Sequence, residues 1–257
     1  MVKAMHLFSG SSGNCVYIKY GDDEVLIDAG VSFKNIREAL MKLGTDISNI
    51  KAVFVTHEHS DHVKGLDVMS KHKPLPVYIN ESSLSGMNLA EDSALARNVE
   101  IANAGSRISL GEMEVDVFET PHDSHGSVGY RFNFSDGTAF GYATDIGHIT
   151  DDIRHGLFGC ESVVFESNHD VNMLKNGPYP FILKKRILSD NGHLSNDACS
   201  LFLPQLVDKG TKKIVLAHLS HENNTPELCY KTSAQALTDA GYTPDDVKLT
   251  VAMRSIL

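Results

Sequence analysis

The chain has 257 residues, 42% of them hydrophobic and 22% charged, an ordinary soluble globular composition that excludes the disordered and low-complexity classes. A chain of this length can bury about three quarters of its unfolded surface, so a core needs no staples. The formal charge of −10 disfavours a nucleic-acid partner on its own but does not decide the matter, since bound cations would offset it.

The four cysteines, Cys15, Cys160, Cys199 and Cys229, are far apart and form no CxxC pair, so they read as reduced thiols. Met1 to His6 runs straight into a strand and lacks the apolar region of a signal peptide. No run approaches the ~18 apolar residues of a membrane span. A cytoplasmic protein is expected.

In chain order, residues 6 to 29 predict strands joined by the glycine-rich turn Gly10-Ser11-Ser12-Gly13-Asn14, then a hairpin that closes on Asp28-Ala29-Gly30. The glycine-rich turn could cradle a phosphate, although such turns more often only connect strands. Residues 32 to 43 fit an amphipathic helix with Ser32 as N-cap and Gly44 at its close. The apolar run Ala52-Val53-Phe54-Val55 predicts a buried strand, and Thr56-His57-Glu58-His59-Ser60-Asp61-His62 begins where it ends. A helix is expected over Val63 to His72, its N-terminus aimed at an anion. A strand follows at Pro76 to Ile79, then helix within Ser82 to Ala96, then two antiparallel strands over 107 to 120, the second ending at Thr120-Pro121-His122.

Val128 to Ala143 predicts a second hairpin, closing on Asp145-Ile146-Gly147 as the first closes on Asp28-Ala29-Gly30. Two such hairpins suggest duplicated, pseudo-equivalent halves within a single domain spanning 1-257. Ser162 to Phe165 is a further strand, leading into Glu166. Leu174 to Leu188 reads as irregular, broken by Gly177-Pro178 and Pro180. Ser195 caps a helix from Asn196 to about Val207, Lys213 to Ala217 is the last buried strand and delivers His218, and Thr225-Pro226 opens a helix to Ala240.

The pattern His57-x-His59-x-Asp61-His62 resembles the signature of the metallo-β-lactamase fold, which implies a four-layer αββα sandwich of the α/β class. Imidazole and carboxylate suit zinc, manganese or iron. Of the thirteen histidines, those at strand ends are the expected ligands. A dinuclear site needs about three or four protein ligands per ion and a bridging carboxylate. His57, His59 and His122 would hold one ion, Asp61, His62 and His218 the other, with Asp145 bridging. His125 rivals His122, which is preferred because it directly follows its strand. His221 is a further candidate near His218, whereas His6, His148, His155 and His169 read as structural. His72 is expected at an exposed helix end. Asp28 would support the ligands by holding an imidazole or the backbone of 57 to 62. The expected cofactors are two divalent metal ions, Zn or Mn.

Within that superfamily, the oxygen-reducing branch carries Glu where His59 stands and usually adds a flavin domain, so hydrolysis is favoured. The ribonuclease Z branch pairs a Glu-containing motif with a downstream His-Ser-Thr motif. Glu166-Ser167-Asn168 and His193-Leu194-Ser195 occupy the corresponding order here, which implies His193 as proton donor to a leaving alkoxide and Glu166 as its orienting carboxylate. Asp61, Glu166 and His193 are thus the expected catalytic residues. Asn168 and the proline-containing segment depart from that branch, and no flexible tRNA arm is visible.

The narrower resemblance is to the bacterial WalJ/YycJ family. It is carried by Ser9 to Cys15, Ile27 to Gly30, Thr56 to His62, Pro121 to Asp123, Ala143 to Gly147, Glu166 to Asp170, Gly192 to Asn196 and Ala217 to Asn224. It implies a metal-dependent DNA exonuclease acting 5′ to 3′, linked to mismatch repair or cell-wall regulation. RNA or a small phosphodiester is an alternative substrate, and ester, thioester or lactam hydrolysis an alternative reaction on the same scaffold. Lys184, Lys185 and Arg186 are candidate backbone contacts for DNA, although three adjacent charges are more often a solvated face.

Overall fold

The computed structural model describes residues 2–90 and 92–257. The chain divides into two compact units. The first runs up to Val117 and adds Ser124–Val128 and Met253–Leu257; the second comprises Phe118–Asp123 and Gly129–Ala252.

In the first unit the elements are β1 (Lys3–Phe8), β2 (Cys15–Tyr20), β3 (Asp23–Ile27), α1 (Phe33–Lys42), β4 (Ile50–Phe54), α2 (Ser60–Val63), α3 (Leu66–His72), β5 (Val77–Ile79), α4 (Glu81–Gly86), β6 (Val99–Ile101), β7 (Arg107–Leu110) and most of β8 (Met113–Glu119). Six strands form a sheet in sequence order from β1 to β6. β1, β2 and β3 pair antiparallel, and β3 to β6 run parallel. Every residue of β3 is buried, as is all of β4 except Lys51, which is why Val25 to Ile27 and Ala52 to Phe54 read as short apolar runs rather than alternating ones. Leu7, Leu26, Val53, Ile36, Leu40, Leu66 and Met69 share one core, where each large side chain contributes roughly 1.5–3 kcal/mol.

The Ser32 hydroxyl caps α1 by accepting from the Asn35 amide at 3.2 Å, as expected. The expected helix over 63 to 72 is instead two pieces. Helical turns begin already at Ser60, and a break at Lys64-Gly65 lets the Gly65 amide donate to the Ala29 carbonyl at 2.7 Å. Asp61 and His62 therefore sit inside a helical turn, and strand-like alternation along the motif stops at His59. His72 is exposed, with its ring stacked on Phe33 at 4.9 Å between centroids. The segment expected to contain helix supplies α4 and a 3₁₀ turn at Ala96–Asn98, and Glu91 within it lies outside the described residues.

The second unit contains β9 (Val128–Phe134) from its second residue onward, β10 (Ala139–Ala143), α5 (Asp151–Leu157), β11 (Ser162–Glu166), α6 (Val171–Asn176), α7 (Phe181–Ile187), α8 (Asn196–Asp208), β12 (Lys213–Ala217), α9 (Pro226–Asp239) and β13 (Lys248–Val251). The strands are neighbours in that order. β9 and β10 are antiparallel, and β10 to β13 run parallel. Ala143, Ile153, Phe165, Phe202, Leu206, Leu216 and Leu237 belong to its core.

Ser195 and Thr225 cap α8 and α9 where the sequence places them, each stabilising its helix by about 1 kcal/mol. Residues 174 to 188 are not irregular. Pro178 and Pro180 lie between α6 and α7, Pro180 at the N-cap of α7, and proline at a helix start removes no intrahelical bond. All four cysteines are free and buried. Among the described residues, no helix is long and apolar enough to cross a membrane.

Candidate metal centre

In the first unit the motif leaves β4 through Thr56 and enters α2 at Ser60. His57 and His62 are buried, and His59 and Asp61 partly exposed. The His57 ring lies 4.6 Å from that of His59 and 4.1 Å from that of His62, and His62 Nε2 is 3.5 Å from Asp61 Oδ2. One fully buried carboxylate organises this cluster. Asp28 accepts from the Thr56 amide at 2.8 Å, from the Thr56 hydroxyl at 3.0 Å and from His62 Nδ1 at 2.8 Å. Burial raises the Asp28 pKa, and the His62 and Thr56 contacts oppose that rise. With Nδ1–H donated to Asp28, the lone pair of neutral His62 lies on Nε2, the arrangement that presents an imidazole to a metal.

Thr56 escaped the sequence reading although its hydroxyl also lies 3.1 Å from Nδ1 of both His57 and His62. Its place between the strand and the first histidine was the available signal. The glycine-rich turn has its own surprise, because its amides hold the motif rather than standing ready for a phosphate. Asn14 N–H donates to Asp61 O at 2.8 Å, Gly10 N–H to Asn14 Oδ1 at 2.9 Å and Gly13 N–H to Gly10 O at 2.9 Å. Gly30 packs so closely that a Cβ there would lie 1.6 Å from Asp61 O. His125 is exposed and committed to Glu58, whose Oε1 accepts from its amide at 2.9 Å and lies 2.8 Å from its Nδ1.

In the second unit, strand ends deliver His122 beyond β8, Asp145 beyond β10, Glu166 at the last position of β11 and His218 beyond β12. Asp145 and His218 take left-handed backbone conformations, with φ of 57° each, as does Asp28 in the first unit at 60°. Such φ values strain a residue carrying a Cβ, and they turn the chain sharply at the point where the side chain is needed. Asp145, Glu166, His193 and His218 each offer a ligand atom, all within 4.8 Å of one another.

Glu166 is the centre of this group and is fully buried. Its Oε1 accepts from His193 Nδ1 at 2.9 Å and from His218 Nδ1 at 2.8 Å. Its Oε2 accepts from the amides of Ile146 at 2.8 Å and Leu194 at 3.1 Å. Burial alone would push the carboxyl upward, but the two imidazoles hold it well below the usual carboxylate range. Four donors leave it the role of orienting others rather than binding metal. Sequence resemblance paired Glu166 with His193 only; that it equally fixes His218 depends on β11 and β12 lying side by side.

Burial disfavours charge on His193, yet the Glu166 carboxylate outweighs this and raises its pKa. His122 is buried and lowered, principally by desolvation, with Nδ1 3.1 Å from the Gly192 carbonyl, Nε2 3.3 Å from Asp123 Oδ1 and 3.8 Å from Asp145 Oδ1. Burial thus favours the neutral form of His122, whereas the Glu166 carboxylate favours the protonated form of His193. Asp123, which also pairs with Arg186, was a further missed neighbour of the site.

None of the remaining histidines belongs to a group of candidate ligands among the described residues. His221 pairs with Glu222 on the surface, His148 lies 2.8 Å from the Asp190 carbonyl, His155 is exposed on α5 and His6 is partly buried on β1. His169 is buried, with no hydrogen-bond partner for either ring nitrogen among the described residues, and its pKa falls to about 4, mainly through burial. The donors within each unit suit a divalent metal, since His62 in the first and His218 in the second are each oriented through Nδ1 by a buried carboxylate.

Comparison with known proteins agrees with this chemistry. Residues 23–219 match the family described as the beta-lactamase superfamily domain. Exodeoxyribonuclease YycJ of Bacillus anthracis is 36% identical over 236 residues, 92% of this chain and 89% of that protein. Exodeoxyribonuclease WalJ of Streptococcus pneumoniae is 35% identical over 239 residues, 91% of this chain and 87% of its own length. Among solved structures, the metallo-β-lactamase fold protein YhfI of Bacillus subtilis superposes with a TM-score of 0.71 at 14% identity, covering 99% of this chain and 98% of YhfI. Zn²⁺-bound PqqB of Methylobacterium extorquens does so at 0.72 and 16%, covering 100% of this chain and 99% of PqqB. These two likenesses concern the fold.

Proposed function

We propose that this chain, which belongs to the metallo-β-lactamase superfamily and within it to the WalJ/YycJ family, is a metal-dependent phosphodiesterase that shortens DNA from its 5′ end. The names of the relatives support the substrate class. The observation that carries the reaction class is the pair Glu166 and His193, with an Nδ1 to Oε1 distance of 2.9 Å. A buried carboxylate that raises the pKa of an imidazole suits an alkoxide leaving group, and thioester hydrolysis, whose thiolate departs far more readily, needs it less.

His57, His59 and His122 are the ligands we assign to one divalent ion, with Asp61, His62 and His218 for a second and Asp145 between them, Zn or Mn. Bound there, the ions would supply a hydroxide at neutral pH and offset charge on the phosphate. Asp28 orients His62, and Glu166 orients both His218 and His193. His193 then gives its proton to the departing sugar oxygen and is reset from solvent, to which it is partly open. Hairpins closing on left-handed Asp28 and Asp145, followed in each unit by parallel strands, support two pseudo-equivalent halves of one domain. Four unpaired thiols are in keeping with a cytoplasmic protein, and roles in mismatch repair or cell-wall regulation follow from the family.

The test is His193→Ala on two substrates. Cleavage of 5′-labelled DNA should slow by about 10²–10⁴ with metal content intact, whereas bis(p-nitrophenyl) phosphate, whose leaving group needs no proton, should lose only about a few-fold. Undiminished DNA cleavage, or a protein that turns over thioesters but no DNA, would sink the proposal.

A further inference from the structure

Helix α7 is unusual in what it shows to solvent. Phe181 is 80% exposed and Ile182 82%, the two largest exposures among the big apolar side chains described. Next to them lies a cavity of about 570 Å³ lined by Lys175, Phe181, Lys184, Lys185, Leu188 and Ser189. That volume lies within the range of roughly 300–1,000 Å³ of small-molecule sites. The three lysines have different duties. Lys184 Nζ donates to the carbonyls of Lys175 at 2.8 Å and Gly177 at 2.7 Å, tying α7 to the end of α6. The exposed side chains of Lys175 and Lys185 have no ion pair or hydrogen bond among the described residues. A chain of net charge −10 thus sets two uncommitted cations around an exposed aromatic ring.

The helix is also joined to the proton donor. His193 N–H donates to Ile187 O at 3.0 Å and Gly192 N–H to Ser189 O at 2.9 Å. A Cβ at Gly192 would lie 2.2 Å from Ile187 O, so only glycine lets the turn close this tightly. Gly192 O is the carbonyl beside His122 Nδ1, and Arg186 at the end of α7 pairs with Asp123. Whatever α7 grips is therefore held in register with His193 and His122.

We infer that α7 and its cavity form a single-stranded DNA grip, with Phe181 stacking on a base and Lys175 and Lys185 meeting phosphates of the strand next to the cleaved bond. An aromatic face between cations is the chemistry that holds unpaired nucleotides without regard to sequence. Arg186, a sequence-level candidate for phosphate contact, is instead spent on Asp123. The inference rests on the phosphodiesterase reading for its purpose but not for its test.

The test measures anisotropy of a dye-labelled, cleavage-resistant phosphorothioate oligothymidylate of about 12 nucleotides, within the usual site sizes, against the metal-loaded full chain. Phe181→Ala should weaken binding about ten-fold or more. Lys175→Ala/Lys185→Ala should flatten the dependence of log affinity on log salt by about 1.4, at roughly 0.7 per phosphate contact on a single strand. The charge-matched control Lys3→Ala/Lys231→Ala should bind as wild type, and melting curves should show all variants folded. The inference is overturned if wild type does not bind, if the α7 variants bind like wild type, if the control weakens equally, or if α7 captures anionic vesicles and no oligonucleotide. Wild type that binds through α7 but cleaves no DNA would retire the nuclease reading and leave the grip standing; cleavage with unaltered binding in the variants would do the reverse.

Discussion

Replacing Glu166 by Gln changes one atom in a site where that atom has no harmless position. The carboxylate accepts from His193 and His218 on one oxygen and from the Ile146 and Leu194 amides on the other, at distances between 2.8 and 3.1 Å. An amide group turned one way faces its NH₂ toward two backbone N–H groups. Turned the other way it faces two imidazole N–H groups, and relieving that clash by moving a proton to Nε2 would cost His218 the nitrogen assigned to metal. Either way two buried donors lose an acceptor, at roughly 1–3 kcal/mol each, so the folded state should lose about 2–6 kcal/mol. Activity should fall further, because metal affinity drops about 10–100-fold when such a support is removed. The sign of the pH effect is distinctive. Glu166 raises the His193 pKa, so the protonated donor persists to higher pH in the wild type, and activity declines as pH rises through that pKa. In Glu166→Gln the alkaline decline should begin at lower pH. Elemental analysis, thermal melts and a pH–rate profile with DNA check the three parts, and a variant retaining metal, stability and an unmoved alkaline limb would refute the keystone role of Glu166.

Three other outcomes follow from named contacts. Asp28→Asn should lower metal affinity by about 10–100-fold, read by competition with a chromogenic chelator; unchanged affinity would mean that His62 needs no carboxylate behind it. Gly30→Ala forces a Cβ to within 1.6 Å of Asp61 O, so the motif must shift, costing about 1–3 kcal/mol in a melt together with metal loss, and a well-behaved metallated variant would contradict the close packing. His169 should make the protein acid-sensitive. Its folded pKa of about 4 lies below the ordinary 6.5, so the unfolded chain takes up the proton first and stability is lost as pH falls between those values, by about 3 kcal/mol in all. In denaturant titrations the stability of wild type relative to His169→Leu should fall by about 3 kcal/mol as pH drops, and parallel curves would show that His169 is not the sensor.

Much of the fold was legible because its central strands are largely buried. Val53, Phe54 and Val55, or Ile214, Val215, Leu216 and Ala217, are apolar runs, and each gives way abruptly to a polar residue, Thr56 or His218. Ser195 and Thr225 announced their helices through capping chemistry. What escaped has physical reasons as well. α5 is only Asp151–Leu157 and mostly polar, while β13 is an edge strand with no fully buried residue. Pro178 and Pro180 were read as breaks although one links two helices and the other caps α7. In the site, ligand candidates could be found by type and position, but the four donors on Glu166 come from three separate segments, those that follow β10, α7 and β12, a convergence that no local pattern encodes. Likewise, whether Gly10 to Asn14 cradles a phosphate or only connects strands stayed open, because a glycine-rich turn looks the same whether its amides meet a ligand or another stretch of chain.

The left-handed backbone at Asp145 and His218 bears on how this protein would respond to selection for robustness alone. Glycine, and to a lesser extent asparagine, occupies such conformations with less steric cost, commonly by about 1 kcal/mol. A screen that rewards abundance or heat tolerance would therefore drift toward Gly at 145 and 218 and erase two metal-ligand candidates while reporting success. Libraries for this scaffold should hold those two positions constant, or score turnover alongside yield, since here the residues that burden the fold are the ones that make it useful.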